Sequence, residues 1–326
     1  MTTKPILIVA GEPYSVFIEI YLKSLSKTKI KNMKKPIILI CSKSLLVKQM
    51  KKLKYKYKIK DVSKFNLNSS ELTNKKINLI DVDFKFKKSF DKISSKSKPY
   101  IENCLNIALS LIKKNNIKTL INGPISKKHF LQKKFPGMTE YFAQKTNSKG
   151  EEVMLIFNKD LAVCPLTTHL PLKRIFKNIT KDKIIKHVNT VHNFYRYYFK
   201  KKVKIAITGL NPHCETTDKF SEDEKIIKPA VKKLKSKGIK IQGPYAADTI
   251  FLKKNLKDFD VIFGMYHDQV LTPIKTLYGF NAINVTLGLP FLRVTPDHGT
   301  NNPMIGKNLS NPNSLIEAIN FAKKIN

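Results

Sequence analysis

Seven side chains that could bind a ligand or move a proton are concentrated between Gly264 and Thr300. Arginine occurs only three times in the chain, and one of the three lies in this stretch, although lysine supplies nearly all of the positive charge. An arginine kept in such a lysine-rich chain indicates a bidentate contact to phosphate or carboxylate, which lysine makes poorly. The seven residues are His267, Asp268, Lys275, Asn284, Arg293, Asp297 and His298. We therefore expect an active site in this stretch.

Three histidines each follow a short apolar segment that is typical of a buried strand. His169 follows Ala162–Leu166, His213 follows Val203–Leu210, and His267 follows Val261–Met265. Ligands of open α/β sheets bind at the carboxyl ends of strands, so the three imidazoles are candidates for one metal site. Such a ligand set is typical of a catalytic metal, and it suits zinc, cobalt, nickel or iron(II) better than magnesium. Spacing alone leaves open whether the three converge.

Two carboxylates, Asp268 and Asp248, are candidates for acid–base chemistry or for orienting a metal ligand. Asp248 could instead cap the helix that follows it. Lys275 is a third candidate for a catalytic role. Together with Asn284 and Arg293 it also supplies donors that suit a phosphate or carboxylate.

A short glycine-containing segment, DHGT, follows these donors and could hold a nucleotide through its backbone N–H groups. It consists of Asp297, His298, Gly299 and Thr300. The alternative interpretation is a tight turn. The chain contains neither GxGxxG nor GxxxxGK[ST], which disfavours a standard Rossmann or P-loop site.

Apolar runs that end near glycine or proline alternate with amphipathic segments along the chain. Pro5–Ala10 and Pro36–Cys41 predict buried strands, whereas Thr180–Tyr198 and Ser221–Lys237 predict helices. This alternation is typical of an α/β protein with a largely parallel sheet. The sequence shows no repeat and no low-complexity linker, so we expect any second domain to be inserted within the fold.

Composition excludes several classes of protein. The 326 residues suffice for two domains, and no run of 18 apolar residues predicts a membrane span. The net charge of +37 is almost wholly lysine spread along the chain, which we interpret as a compositional bias rather than a nucleic-acid site. Four separated cysteines without a CxxC pair, and an N-terminus without a secretory pattern, favour the cytoplasm.

Seven short motifs together resemble the 4-hydroxythreonine-4-phosphate dehydrogenase family of vitamin B6 synthesis. They occur in order and at the family's spacing over nearly the full length, and most are five to ten residues long, so the resemblance is specific. The motifs are NGPISK (Asn122–Lys127), LTTHLPL (Leu166–Leu172), GLNPH (Gly209–His213), GPYAADTIF (Gly243–Phe251), MYHDQ (Met265–Gln269), NVTLGLPFLR (Asn284–Arg293) and DHGT (Asp297–Thr300).

The resemblance implies the isocitrate/isopropylmalate dehydrogenase-like fold, an α/β fold with two domains and a cleft between them. We expect residues 1–135 with 275–326 to form the domain on the cofactor side. Residues 136–274 would form the second domain, which carries the metal ligands and the dimer surface. The family also implies a homodimer whose active sites draw on both subunits, with no nucleic-acid or membrane partner.

The resemblance also implies the reaction and its site. NAD or NADP would oxidise the 3-hydroxyl of 4-phosphooxy-L-threonine, and the keto acid would lose carbon dioxide to give 3-amino-2-oxopropyl phosphate. One divalent metal per subunit (Zn, Co or Mg) would lie on His169, His213 and His267. The implied substrate contacts are Thr139, Lys275, Asn284 and Arg293, and the cofactor is expected near Asp297–Thr300.

Two departures from the family pattern affect the predicted substrate and cofactor sites. The family's first turn usually reads GDPAGIGPE, whereas Gly11–Glu19 reads GEPYSVFIE, with larger side chains at two glycine positions. The family's substrate-contacting histidine before threonine is replaced by Met138, which cannot donate a hydrogen bond. These changes leave the histidine triad intact.

Three other functions stay open. The departures favour a paralogous dehydrogenase of another phosphorylated hydroxy acid, such as a four-carbon sugar acid phosphate. A family member without activity would bind metal but produce no NADH. A polyanion-binding protein would use the lysine excess, but it would leave the three histidine motifs unexplained.

Overall fold

The structure is a computed structural model that describes residues 4–63, 67, 72–132, 134–279 and 281–325. The chain divides into two compact units, Met1–Phe142 with Pro290–Asn326 and Ala143–Leu289. The domain boundaries predicted from the sequence, at 135/136 and 274/275, stay a prediction. Within the described residues no helix is both long enough and apolar enough to cross a membrane.

Strands and helices are interspersed along the chain. The strands are β1 (Ile6–Val9), β2 (Ile37–Cys41), β3 (Ile59–Asp61), β4 (Ile77–Asp81), β5 (Thr119–Asn122), β6 (Val153–Phe157), β7 (Ala162–Thr167), β8 (Ile205–Thr208), β9 (Ile241–Tyr245), β10 (Val261–Tyr266), β11 (Ile283–Leu287) and β12 (Leu292–Pro296). The helices are α1 (Phe17–Leu25), α2 (Thr28–Lys31), α3 (Lys43–Lys52), α4 (Lys98–Asn115), α5 (Lys127–Phe130), α6 (Met138–Lys145), α7 (Lys181–Phe199), α8 (Lys228–Ser236), α9 (Ala247–Ile250), α10 (Lys253–Leu256), α11 (His267–Tyr278) and α12 (Asn313–Lys324).

The first unit is built on parallel strands in the order β3-β4-β2-β1-β5-β12. Every residue of β1, β2 and β5 is buried, and most are isoleucine, leucine or valine. Helix α4 packs against β1 and β2, and α12 packs against β1, β5 and β12. A parallel sheet covered by helices requires such continuous apolar strands.

The second unit has the strand order β11-β6-β7-β10-β8-β9. The strands β7, β10, β8 and β9 are parallel, whereas β6 runs antiparallel to both β7 and β11. Helix α7 packs against β6, β7 and β11, and α11 packs against β7 and β10. Helix α7 begins after Thr180, whose Oγ1 accepts a hydrogen bond from the N–H of Lys183, as an N-cap residue does.

Candidate active site

The three predicted metal ligands of the second unit follow three adjacent parallel strands. Strand β10 pairs with β7 on one side and with β8 on the other. His267 is the first residue after β10, His169 is the second after β7, and His213 is the fifth after β8. Because parallel strands end at one edge of a sheet, the fold brings these three loops to the same edge.

His169 and His267 lie near each other, with 6.0 Å between their ring centroids. The Nδ1–H of His267 donates to Oδ1 of Asp268 at 2.6 Å, since a carboxylate can only accept. This hydrogen bond leaves Nε2, on the other side of the ring, to face a metal ion, and carboxylates commonly orient metal-binding histidines in this way. This donor chemistry fits a divalent metal. Over the described part of the chain, no group of three His, Cys, Asp or Glu side chains is arranged to hold a metal ion, and the three-histidine site stays a prediction.

The loop that carries His213 has an unusual backbone conformation. His213 and Cys214 have φ values of 54° and 63°, which are left-handed and unfavourable for residues with a Cβ by roughly 1–2 kcal/mol each. The buried carboxylate of Asp223 accepts from the N–H of Leu210 at 2.8 Å and of Asn211 at 3.1 Å. It also accepts from Nδ2 of Asn211 at 2.9 Å. These contacts hold the segment before His213 in place.

In the first unit, the structure brings Arg293 of β12 together with Thr139 of α6. Arg293 is buried; its Nε–H donates to Oδ1 of Asn122 at 2.8 Å and its Nη1–H donates to Oγ1 of Thr139 at 3.5 Å. The guanidinium also lies over the ring of Phe142, 5.0 Å from the centroid. Burial lowers the pKa of Arg293 to about 10, partly offset by the nearby charge of Glu140, so the side chain stays cationic at neutral pH. A buried cation of this kind suits an anionic ligand.

Met138 is the first residue of α6, directly before Thr139, and it is buried. The position that the family resemblance assigns to a histidine therefore holds an apolar side chain that packs in the interior. A thioether is only a weak acceptor, so Met138 offers no donor to a phosphate.

Lys275, Asn284 and Asp248 belong to the second unit. Lys275 lies about two turns after His267 on α11, and partial burial lowers the pKa of its ammonium group. Asn284 lies on β11, opposite Ile156 of β6. Asp248 lies in the first turn of α9, whose N-cap is Ala246 without a side-chain cap, so the alternative role of Asp248 as a cap is wrong.

The turn after β1 contains a buried acid, Glu12, which none of the sequence motifs marks as a site residue. Its Oε2 accepts from Oγ of Ser97 at 3.1 Å, and its N–H donates to the carbonyl of Pro124 at 2.9 Å. Its Oε1 is buried and has no hydrogen-bond partner in the regions that the structure covers. Burial raises the pKa of Glu12 to about 7, against the lowering effect of the hydrogen bonds from Ser97 and Tyr14. In the sequence, the feature that could have indicated Glu12 is a carboxylate between a glycine and a proline, directly after an apolar run.

The predicted cofactor segment, Asp297–Thr300, follows β12 in the first unit. The carbonyl of Thr300 accepts from the N–H of Val16 at 3.3 Å. The Nδ1–H of His298 donates to the carbonyl of Gly299 at 2.9 Å, so Nε2 of the neutral ring is an acceptor. That Nε2 is buried and, among the described residues, has no hydrogen-bond partner; burial also lowers the pKa of His298. A buried acceptor fits an N–H donor of a nucleotide cofactor.

Comparisons with known proteins find relatives that match nearly the whole chain. A 4-hydroxythreonine-4-phosphate dehydrogenase from Sulfurihydrogenibium sp. (strain YO3AOP1) is 39% identical over 321 residues, 97% of this chain and 96% of that protein. The crystal structure of a 4-hydroxythreonine-4-phosphate dehydrogenase from Burkholderia phymatum has a TM-score of 0.81 and 25% identity, covering 99% of this chain and 98% of that chain.

A more distant structure shows the fold alone. Isocitrate dehydrogenase from Methylococcus capsulatus is 10% identical with a TM-score of 0.50, covering 98% of this chain and 84% of that chain. The fold class predicted from the sequence is confirmed. Residues 32–322 match the family described as pyridoxal phosphate biosynthetic protein PdxA. The chain therefore belongs to the PdxA family of pyridoxal phosphate biosynthesis.

Proposed function

We propose that the chain oxidises the 3-hydroxyl of 4-phosphooxy-L-threonine with NAD or NADP. The nicotinamide, when bound, would supply the oxidant that takes the hydride of C3, and a base of the chain would accept the hydroxyl proton. The bond to the carboxylate then breaks, carbon dioxide leaves, and protonation of the resulting enolate gives 3-amino-2-oxopropyl phosphate. The observation that carries the proposal is the placement of His169, His267 and His213 after three adjacent parallel strands.

His169, His213 and His267 would hold one divalent ion per subunit, with Zn, Co and Mg as the candidates. A metal at this site supplies Lewis acidity toward the substrate hydroxyl and the carbonyl formed from it. Asp268 orients the ring of His267 through the Nδ1 hydrogen bond. Asp268 and Asp248 are our candidates for the base that accepts the hydroxyl proton.

Arg293 would bind the substrate phosphate, together with Thr139, Asn284 and Lys275. The contacts of Arg293 with Asn122 and Thr139 support this role, because they hold the guanidinium in one orientation before a ligand arrives. The partial burial that lowers the pKa of Lys275 also makes its ammonium group a better proton donor, which is compatible with its proposed catalytic role.

The cofactor would bind at Asp297, His298, Gly299 and Thr300, where the acceptor Nε2 of His298 supports the assignment. A homodimer with shared active sites, a cytoplasmic location and the absence of a nucleic-acid partner follow from the family resemblance and the composition, and they stay predictions.

The test is the growth of NADH absorbance in metal-reconstituted protein supplied with NAD and 4-phosphooxy-L-threonine. A chelated sample and a His213→Ala variant are measured beside it, with His192→Ala, on α7, as the matched histidine control. We expect NADH from the parent and the control only. A complete sample that binds metal but forms neither NADH from NAD nor NADPH from NADP would contradict the proposed substrate.

Burial of Met138 favours a second candidate, a dehydrogenase of another phosphorylated hydroxy acid. The comparison measures turnover of 4-phosphooxy-L-threonine against a four-carbon sugar acid phosphate in the parent and in Met138→His, with Met138→Leu as the size control. If the second candidate is correct, the parent prefers the sugar acid phosphate. If the first is correct, it prefers the amino substrate.

A further inference from the structure

The side chain of Gln269 joins the ends of the two strands that precede His213 and His267. Gln269 lies on α11, two residues after His267. Its Oε1 accepts from the N–H of Met265 at 2.7 Å, on β10, and from Oγ1 of Thr208 at 2.8 Å, on β8. Its Nε2 donates to the carbonyl of Gly209 at 2.8 Å, directly after β8. One amide group therefore connects the starts of the two segments that carry His213 and His267.

The hydrogen bonds continue from Gln269 to the neighbouring loops, and together these groups form one hydrogen-bonded row. Thr167, the last residue of β7, donates through Oγ1 to the carbonyl of Met265 at 2.8 Å. Beyond Gly209, the carboxylate of Asp223 accepts from the N–H groups of Leu210 and Asn211. The row thus crosses β7, β10 and β8 and ends at the loop of His213.

Two glycines beside this row, Gly264 and Gly209, leave the space that its side chains occupy. A Cβ on Gly264 would lie 3.1 Å from Oε1 of Gln269 and 2.4 Å from Cγ1 of Val270. A Cβ on Gly209 would lie 2.6 Å from Oδ1 of Asp223 and 2.7 Å from Sγ of Cys214. Glycine inside a strand, as Gly264 is in β10, marks such a close approach.

We propose that Gln269 is a positioning residue that sets the distance between the loops of His213 and His267, and that it thereby tunes metal affinity. This inference rests on the three-histidine metal site of the proposed function. His213 has a left-handed backbone conformation, so its imidazole depends on contacts that fix the loop. Groups that orient ligands without touching the metal typically change its affinity about 10- to 100-fold when they are lost.

The test uses the full-length, metal-free protein and titrates Co²⁺, following its visible absorption to obtain a Kd. The variant is Gln269→Met, which keeps the length of the side chain and removes all three hydrogen bonds. The matched control is Gln242→Met, since Gln242 is exposed on β9 of the same unit. Thermal unfolding of each metal-free protein is measured in parallel.

We expect Gln269→Met to raise the Kd for Co²⁺ about 10- to 100-fold and to change the cobalt spectrum. Gln242→Met should leave both unchanged. Thr208→Val should weaken binding several-fold, whereas Thr208→Ser, which keeps the hydroxyl, should restore the parent's Kd. Recovery by serine distinguishes positioning from a general loss of packing.

Two results would overturn the role of Gln269 while leaving the metal site in place. One is a parental Kd and spectrum in Gln269→Met. The other is a rise in Kd that parallels the loss of thermal stability in every variant, with no recovery of the parent's Kd in Thr208→Ser. A parent protein that binds no Co²⁺ would overturn the metal site of the proposed function together with this inference.

Discussion

At the ends of β7, β10 and β8, polar side chains connect one loop to the next, whereas buried aromatic side chains pack around the segment that follows β1, from Tyr14 into α1. In the second unit, Gln269 and Asp223 make directional hydrogen bonds to the loops they support. In the first unit, Phe17 is completely buried and stacks on Tyr21 with 6.4 Å between ring centroids. Tyr14 is buried as well, and its ring lies in a T-shaped arrangement with that of Phe84.

The two regions therefore depend on different interactions. Hydrogen bonds specify the direction and distance of the groups they join, and so they suit loops that must present ligands. Apolar packing is non-directional and contributes free energy in proportion to the buried area. We expect substitutions after β1 to change mainly the stability of the protein, and substitutions at the histidine loops to change mainly its affinity for metal.

The largest expected effect is on stability, from Phe17→Ala. Removing a fully buried phenylalanine side chain should lower the free energy of unfolding by about 3–5 kcal/mol, because it removes apolar contact and leaves a cavity. Urea unfolding measures the change. Phe220→Ala, at a residue that is 54% exposed, is the control and should change it by less than about 0.5 kcal/mol. Equal effects of the two changes would show that the turn does not depend on packing.

The second-largest expected effect is on catalysis, at Arg293, whose guanidinium makes both hydrogen bonds and a contact with an aromatic ring. Arg293→Ala should lower kcat/KM for the phosphorylated substrate by about 30- to 1,000-fold, because it removes a buried cation from the proposed phosphate site. Steady-state kinetics with saturating cofactor measures the loss. Arg196→Ala, at an exposed arginine near the end of α7, should leave kcat/KM unchanged. A parental value in Arg293→Ala would remove Arg293 from the binding site.

The smallest expected effect is a pH dependence that comes from Glu12. Its pKa is about 7 in the folded protein and 4.5 ordinarily, so ionisation costs the folded state more than the unfolded state. The stability that Glu12 contributes is complete below the ordinary pKa and is lost as the pH rises through about 7. Glu12→Gln should therefore be more stable than the parent at pH 8 by on the order of 2–3 kcal/mol, with less difference at pH 5.

Thermal unfolding of Glu12→Gln and the parent from pH 5 to pH 8 measures this difference. Glu317→Gln, at an exposed glutamate on α12, is the control and should follow the parent at every pH. A difference between Glu12→Gln and the parent that does not grow with pH would show that the Glu12 carboxyl titrates normally.

Several parts of the fold followed from local patterns, and others did not. The predicted helix Ser221–Lys237 consists of a π-helical turn, Asp223–Ile227, followed by α8, and the local pattern did not indicate the π-helical turn. Strand β9 contains Gly243 and Pro244, residues typical of turns, so its local sequence does not predict a strand. A strand at the edge of a sheet tolerates proline, since one side of its backbone needs no partner.

The sequence by itself determined the alternation of strands and helices, the residues that follow each strand, and the family to which the chain belongs. Apolar runs and motif spacing are local properties, so they can be read along the chain. Only the tertiary structure decided that β10 lies between β7 and β8, that β6 is antiparallel, and that Gln269 reaches Thr208. Strand order and hydrogen bonds between residues some sixty positions apart depend on which segments pack together, and no local pattern specifies that choice.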